Sequence, residues 1–276
     1  MSSRIELTGV RQVFNVKNAS GRREQFVALD GLDLIVEAGE LFVLVGPSGC
    51  GKSTVLDLIS GLTRPASGTV RVEGREVKGP GLDRGFVFQH YTLLPWRTAR
   101  GNVEFALEAA GLSRADRRSR AAHYLDLVGL ADFADRYPQE LSGGMKQRVA
   151  IARSLSYQPE VLLMDEPYGA LDAQTRERLQ EELLTIWRRT GTTIVFITHD
   201  IDEAVYLGQR VAVMSSRPGR VQTVIDVDLD RKSPQHDIRS SGQFATYRHH
   251  IWSLLRSPDP RSPELRPAAE EADRVA

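Results

Sequence analysis

The sequence predicts a mixed α/β fold built on a partly parallel sheet. Three observations carry the prediction. Short apolar runs alternate with helical patterns along most of the chain. The runs Leu41–Val45, Val161–Met164 and Thr193–Ile197 have the composition of strands buried within a sheet. A glycine-rich turn joins the first of them to a helical pattern. The 276 residues are enough for one large domain or two modest ones, and 41% hydrophobic with 26% charged residues is ordinary for a packed core.

Taken in order, Ile5–Phe14 and Val27–Val36 read as two early strands. The polar stretch Asn15–Gln25, with Gly21, Arg22 and Arg23, reads as a mobile loop between them. Leu41–Val45 is bounded by Gly39 and Gly46, and Ser53–Ser60 follows with helical spacing up to a stop at Gly61. Residues 103–131 read as mostly helical, with Arg114–Arg120 on a solvated face. The helical pattern Ala173–Arg188 separates the buried strands Val161–Met164 and Thr193–Ile197. Val211–Met214 and Val221–Val227 are further strands around the turn Arg217-Pro218-Gly219. The tail from Arg256 carries Pro258, Pro260, Pro263 and Pro267 and ends in Glu270, Glu271, Asp273 and Arg274, a composition that predicts disorder over 256–276.

Composition also excludes. Lys+Arg 36 against Asp+Glu 36 leaves no basic excess, which argues against a nucleic-acid binder. The single cysteine, Cys50, excludes an internal disulfide framework and a multi-cysteine zinc site. Met1–Leu7 lacks the basic head and apolar run of a signal peptide, and the apolar stretches are too short to cross a bilayer. A cytosolic, soluble chain is therefore expected.

The segment Gly46-Pro47-Ser48-Gly49-Cys50-Gly51-Lys52-Ser53-Thr54 matches G-x-x-x-x-G-K-[ST] between a strand and a helix pattern. Glycines let the backbone wrap closely enough to aim successive N–H groups at phosphate oxygens. The helix adds its positive end, Lys52 a cation for the β- and γ-phosphates, and Ser53 a hydroxyl for Mg²⁺. Cys50, inside this loop at a helix start, is expected to favour thiolate, so that a maleimide blocks the site and bound nucleotide slows labelling. Val161-Leu162-Leu163-Met164-Asp165-Glu166 supplies a strand that delivers Asp165 to the metal side, with Glu166 next along to polarise water. Together the two segments imply a nucleoside-triphosphate hydrolysis site.

Leu141-Ser142-Gly143-Gly144-Met145-Lys146-Gln147-Arg148 resembles the signature of ATP-binding-cassette (ABC) ATPases. By itself it is a glycine-rich helix start, with Ser142 as a helix cap and a second anion-binding surface. The remaining elements follow in family order. Gln89 resembles the Q-loop glutamine that touches Mg²⁺, Ala170-Leu171-Asp172 the D-loop, and His199 the switch histidine that contacts γ-phosphate. Asp172 is also a candidate helix cap. Phe14 resembles the aromatic that stacks on adenine, with a core phenylalanine as the alternative.

The resemblance covers roughly residues 4–230, with a helical, signature-bearing part at about 90–155 and a short extension at 231–255. It implies the P-loop NTPase core of an ABC ATPase, with an antiparallel β subdomain and an α-helical signature subdomain. It implies ATP and Mg²⁺ as ligands. It further implies a head-to-tail dimer in which Ser142, Gly143 and Gly144 close over the partner's ATP and Asp172 lies at the interface. Leu93-Leu94-Pro95-Trp96, the signature methionine and Ser216-Arg217-Pro218-Gly219-Arg220 are similar to the nitrate/sulfonate/taurine importer group. Gly208-Gln209-Arg210, where an Asp-Arg pair is common, departs from it, as does Ala99-Arg100-Gly101-Asn102 in place of Val-x-x-Asn. The expected setting is the cytoplasmic side of the cell membrane, with transmembrane permeases as partners and an extracytoplasmic binding protein acting indirectly. An exporter ATPase, or a non-transport ABC ATPase, would share most of the motifs. The stretch Tyr91–Asn102 is the candidate for the permease contact, with Leu93, Leu94 and Trp96 as its anchor groups and core packing as the alternative.

Overall fold

The computed structural model describes residues 2–17, 21–169, 171–230 and 238–256. The chain opens with a long antiparallel pair, β1 (Ile5–Lys17) and β2 (Arg23–Val36). Asn15, Val16 and Lys17 pair with Gln25, Glu24 and Arg23, so the expected loop over 15–25 is mostly strand. The physical reason is that a two-stranded ribbon satisfies its backbone within the ladder while both faces stay wet, so its side chains can be polar. Residues 18–20 lie outside the described residues.

β3 (Leu41–Val45) is buried along its whole length and leads through the glycine-rich loop into α1 (Lys52–Ser60). That helix stops on Gly61 at φ 80, as its sequence requires. β4 (Ser67–Val72) pairs with β1 on the side opposite β2, and Glu73 and Gly74, both at positive φ, turn it into β5 (Arg75–Glu76). β6 (Arg84–Val87) precedes three helices, α2 (Ala99–Ala109), α3 (Arg114–Leu127) and α4 (Gly143–Leu155). Thr98, Ser113 and Ser142 cap their starts by accepting backbone N–H groups. The helical reading of 103–131 is divided at Gly111, whose φ of 80 no continuing helix allows.

β7 (Val161–Asp165), α5 (Ala173–Thr190), β8 (Thr193–Thr198), α6 (Ile201–Leu207), β9 (Arg210–Met214) and β10 (Val221–Asp226) complete the sheets. The last described helix, α7 (Gly242–Arg256), buries Phe244 and Ile251 and packs on α6. The expected disorder of the tail concerns residues beyond Arg256, outside the described set.

Two sheets result. One is antiparallel, in the order β2-β1-β4-β5. The other runs β10-β9-β3-β8-β7-β6, parallel except at β10. Side chains of β3 alternate between two cores. Leu41, Val43 and Val45 face helices α2 to α6, while Phe42 and Leu44 face α1 and the antiparallel sheet. The parallel sheet is thus covered on both sides, which is why its central strands carry continuous apolar runs. Among the described residues no helix is long and apolar enough to cross a membrane.

Candidate functional site

The phosphate loop sits where β3 ends, between β8 and β9, at the carboxyl edge of the parallel strands. Open α/β sheets place their ligands at this edge. Three of the loop glycines have steric reasons to be there. A Cβ at Gly46 would lie 2.7 Å from Cys50 Sγ, and Gly49 and Gly51 hold φ of 74 and 98. Lys52 is only 6% exposed, and its Nζ donates to the carbonyls of Gly46 at 2.8 Å and Pro47 at 3.2 Å. The side-chain cation therefore lies inside the curl of the loop. Pro47, Ser48 and Gly49 face solvent, and Thr54 is half-buried.

Cys50 departs from its expected chemistry. The residue is 1% exposed, and burial pushes its thiol above the ordinary range despite the opposing influence of Lys52 and nearby backbone N–H groups. Desolvation of a thiolate outweighs the helix dipole here, so the favoured form is the thiol.

Across the loop, β7 brings Asp165 to the same edge. Ser53 Oγ donates to Asp165 Oδ1 at 3.2 Å. Burial raises the Asp165 carboxyl, with the neighbouring Glu166 and Asp57 adding repulsion and Ser53 and Lys52 opposing it. A hydroxyl and a carboxylate meeting in such a place form a hard-oxygen corner that a small divalent cation would suit. Among the described residues no group of three or more His, Cys, Asp and Glu is arranged to hold a metal ion by itself.

Glu166 follows Asp165 with φ 42, a left-handed conformation that is strained for a side-chain-bearing residue. Its N–H donates to the Ile197 carbonyl at 3.0 Å, and its Oε2 lies 3.0 Å from His199 Nδ1. Adjacent parallel strands β7 and β8, with Asp165 opposite Ile197, bring the two side chains together from 33 residues apart. Gln89 follows β6, and its Nε2 lies 3.8 Å from the point where a Cβ on Gly169 would stand, beside the loop that leaves Glu166. Lys52, Ser53, Asp165, Glu166 and His199 thus converge, with Gln89 at the rim.

Phe14 sits on β1 directly opposite Phe26 of β2, half-buried and outside both hydrophobic clusters. The core alternative for this residue is therefore not what the fold adopts. Sequence reasoning missed Phe26 and the role of Arg217 beside it. The Arg217 guanidinium stacks 5.2 Å over the Phe26 ring, and its Nε donates to the Gly49 carbonyl at 3.2 Å, joining the aromatic pair to the phosphate loop. The turn Arg217-Pro218-Gly219 was the available signal, but nothing in the linear spacing relates it to position 49.

The signature segment is placed elsewhere. A Cβ at Gly143 would approach Leu171 Cδ2 at 3.0 Å and Tyr91 Oη at 3.1 Å, and one at Gly144 would meet Thr175 Cγ2 at 2.8 Å. Their nearest neighbours belong to α5 and its lead-in, not to the phosphate loop. Ser142 caps α4 through Met145 N–H at 3.3 Å, and Asp172 caps α5 through Thr175 N–H at 3.0 Å. Both capping alternatives are realised. Ala170 lies outside the described residues.

A glycine-rich phosphate loop at a strand–helix junction, facing an acidic strand end on the same sheet edge, defines a P-loop nucleoside triphosphatase. The sequence profile described as "ABC transporter" matches residues 29–169. The Nitrate import ATP-binding protein NrtD of Synechocystis sp. is 52% identical over 257 residues, covering 91% of this chain and 95% of that protein. Among solved structures, a dimeric ATP-binding cassette in a post-hydrolysis state bound to ADP and Pi is 34% identical with a TM-score of 0.70, covering 81% of this chain and 99% of that one. The cbiO1 protein of Clostridium perfringens, described as part of the ABC transporter complex cbiONQ, is 27% identical with a TM-score of 0.69, covering 80% of this chain and 88% of that one. The chain belongs to the ABC transporter family as an ATP-binding subunit, and its enzymatic activity is ATP hydrolysis.

Proposed function

We propose that this chain energises an importer of nitrate or a related small solute such as a sulfonate or taurine. It would act as a pair of copies attached through permease subunits to the cytoplasmic face of the cell membrane, with an extracytoplasmic binding protein delivering the cargo. The observation that carries the hydrolytic reading is the Glu166–His199 contact of 3.0 Å beside the Ser53–Asp165 corner. The likeness to a nitrate import ATP-binding protein supports the choice of an importer and of its cargo class.

In this reading the backbone N–H groups of the Gly46–Thr54 loop, Pro47 having none to give, hold the phosphates, and Lys52 adds charge at the β- and γ-positions. Ser53, Asp165 and Gln89 would hold Mg²⁺, which supplies charge neutralisation at the β- and γ-phosphate oxygens when bound. Phe14 stacks on adenine. Glu166 orients a water towards the γ-phosphorus and takes up its proton as the new P–O bond forms and the bond to ADP breaks. His199 contacts a γ-phosphate oxygen and fixes the Glu166 carboxylate through Nδ1. Most of the catalysis is positioning and charge compensation, as phosphoryl transfer requires. Ser142, Gly143 and Gly144 present a helix start to the ATP of the second copy, with Asp172 at that interface.

Glu166→Gln tests the assignment. The amide keeps the shape but accepts no proton, so kcat should fall by about 100-fold or more while ATP affinity is retained. Removal of the charge should also leave more dimer on size-exclusion chromatography with ATP. Hydrolysis at the wild-type rate would overturn Glu166 as the water-orienting group.

A further inference from the structure

His199 has a neighbour whose own contacts are unusually complete. Asp200 N–H donates to Thr198 Oγ1 at 3.0 Å. Asp200 Oδ1 caps α6 by accepting Asp202 N–H at 2.9 Å and Glu203 N–H at 3.2 Å. Its second oxygen, Oδ2, takes Arg176 Nη1 at 3.0 Å. Arg176 stands in the first turn of α5, and its Nη2 donates to the Leu171 carbonyl at 3.2 Å. Leu171 in turn packs on the start of the signature helix, where its Cδ2 lies 3.0 Å from a Cβ position on Gly143. One planar guanidinium therefore joins the loop before α5 to the residue that follows His199. Its two bonds leave in fixed directions, a geometry that a point charge on a flexible stem does not reproduce.

We infer that Arg176 is a positioning residue for hydrolysis, one that sets His199 against Glu166 by holding Asp200 and Leu171 at a fixed separation. The inference rests on the roles proposed above for His199 and Glu166. Arg176 itself touches no reacting atom. The Oδ1 cap and the N–H bond to Thr198 hold Asp200 to α6 and β8, and the Oδ2 bond is what ties it to α5. With Oδ2 tied to α5, the carboxylate is fixed at both oxygens, and a shift of the Leu171 loop is transmitted to the imidazole. The side chains of the pair are 30% and 33% exposed, so as an ordinary ion pair it would add little to stability. That makes its effect on rate separable from an effect on folding.

The experiment uses the full chain and compares Arg176→Met, Arg176→Lys, Asp200→Asn and the Arg176→Met/Asp200→Asn double variant, with Glu166→Gln as the reference. Asn at 200 still caps α6 but gives up the charge that Arg176 meets. Arg176→Met should lower kcat about 10-fold or more, since small misplacements of a catalytic group are costly, while KM for ATP, ATP affinity and Tm stay near wild type. Arg176→Lys, which keeps the charge but not the fork, should fall between the two and also serves if the Met variant does not fold. In the double variant the losses should not multiply, because both changes break one link. The inference is overturned if Arg176→Met keeps the wild-type kcat while Glu166→Gln is inactive. It is equally overturned if the loss appears in KM with kcat unchanged, or if the two single losses multiply. An active Glu166→Gln would instead overturn the reading of the site on which the inference rests.

Discussion

Cys50 sets two local forces against each other. Its place at a helix start favours thiolate, and that much is visible in the sequence. Its burial at 1% exposure favours thiol and prevails, because packing against the loop is a property of the fold that spacing does not reveal. A maleimide should therefore label Cys50 slowly in the folded chain and rapidly after denaturation, and Cys50→Ser should keep ATPase activity. Labelling in the folded state as fast as in the unfolded one would contradict the burial. The other site residues divide in the same way. Lys52, Ser53, Asp165 and Glu166 were legible because two local motifs carry them. The Glu166–His199 contact was not, since it depends on two strands being neighbours in a parallel sheet. Phe26 and Arg176 carry no motif and Arg217 only a turn signal, and only the three-dimensional arrangement assigns the three their partners.

At the scale of elements, α1 shows how strongly one residue can define an end. Gly61 holds φ 80, and a Cβ there would stand 2.2 Å from the Gly79 carbonyl oxygen, a backbone atom. Gly61→Ala should destabilise the chain by roughly 2 kcal/mol or more, from the strained conformation and the displaced backbone together, visible as a lowered Tm. An unchanged Tm would mean that the 79–81 turn yields freely. The stop at Gly61 was readable from sequence, whereas the β1–β2 pairing over Asn15–Gln25 was not, because exposed ribbon and loop share a polar composition. The segment between β6 and α2 offers another element-scale test. Leu93 packs on the core, and the Leu94 backbone is held by Asn102, whose Nδ2 also donates to the carbonyls of Arg97 and Thr98 at 3.0 Å each. Core packing therefore accounts for Leu93. Trp96 remains 72% exposed. Trp96→Ala should leave Tm and ATP binding as they are, yet weaken permease co-purification by about 2 kcal/mol if it is an anchor of that interface. Undiminished co-purification would remove Trp96 from the contact.

The whole-molecule question is whether a second copy of the chain completes each site. Gly143 and Gly144 lie against α5 and its lead-in rather than against the phosphate loop, so the signature surface and Lys52 of one chain have separate surroundings. A composite site predicts complementation. Lys52→Ala and Ser142→Arg chains should each be nearly inactive alone, while a mixed dimer holds one site with both lesions and one with neither. Mixing at equal total protein should restore up to about half the wild-type activity per mixed dimer if the sites act independently, and less if they are coupled. Full activity of Ser142→Arg alone would refute the composite site. The sequence suggests such an arrangement only through family resemblance, for a glycine-rich helix start reads the same whether its anion is its own or a neighbour's.

The turn Arg217-Pro218-Gly219 limits which changes the chain tolerates. Gly219 N–H donates to the Ala28 carbonyl at 2.9 Å, and its own carbonyl accepts Asp30 N–H at 3.3 Å, sewing the antiparallel sheet to the edge of the parallel one. A Cβ at this position would fall 2.0 Å from the carbonyl oxygen of Cys50, inside the phosphate loop. Any side chain at 219 must therefore push aside the backbone of the glycine-rich loop. A mutation there would enter a lineage as a turn substitution, far in sequence from residues 46–54, and selection would meet it as a distortion of that distant loop.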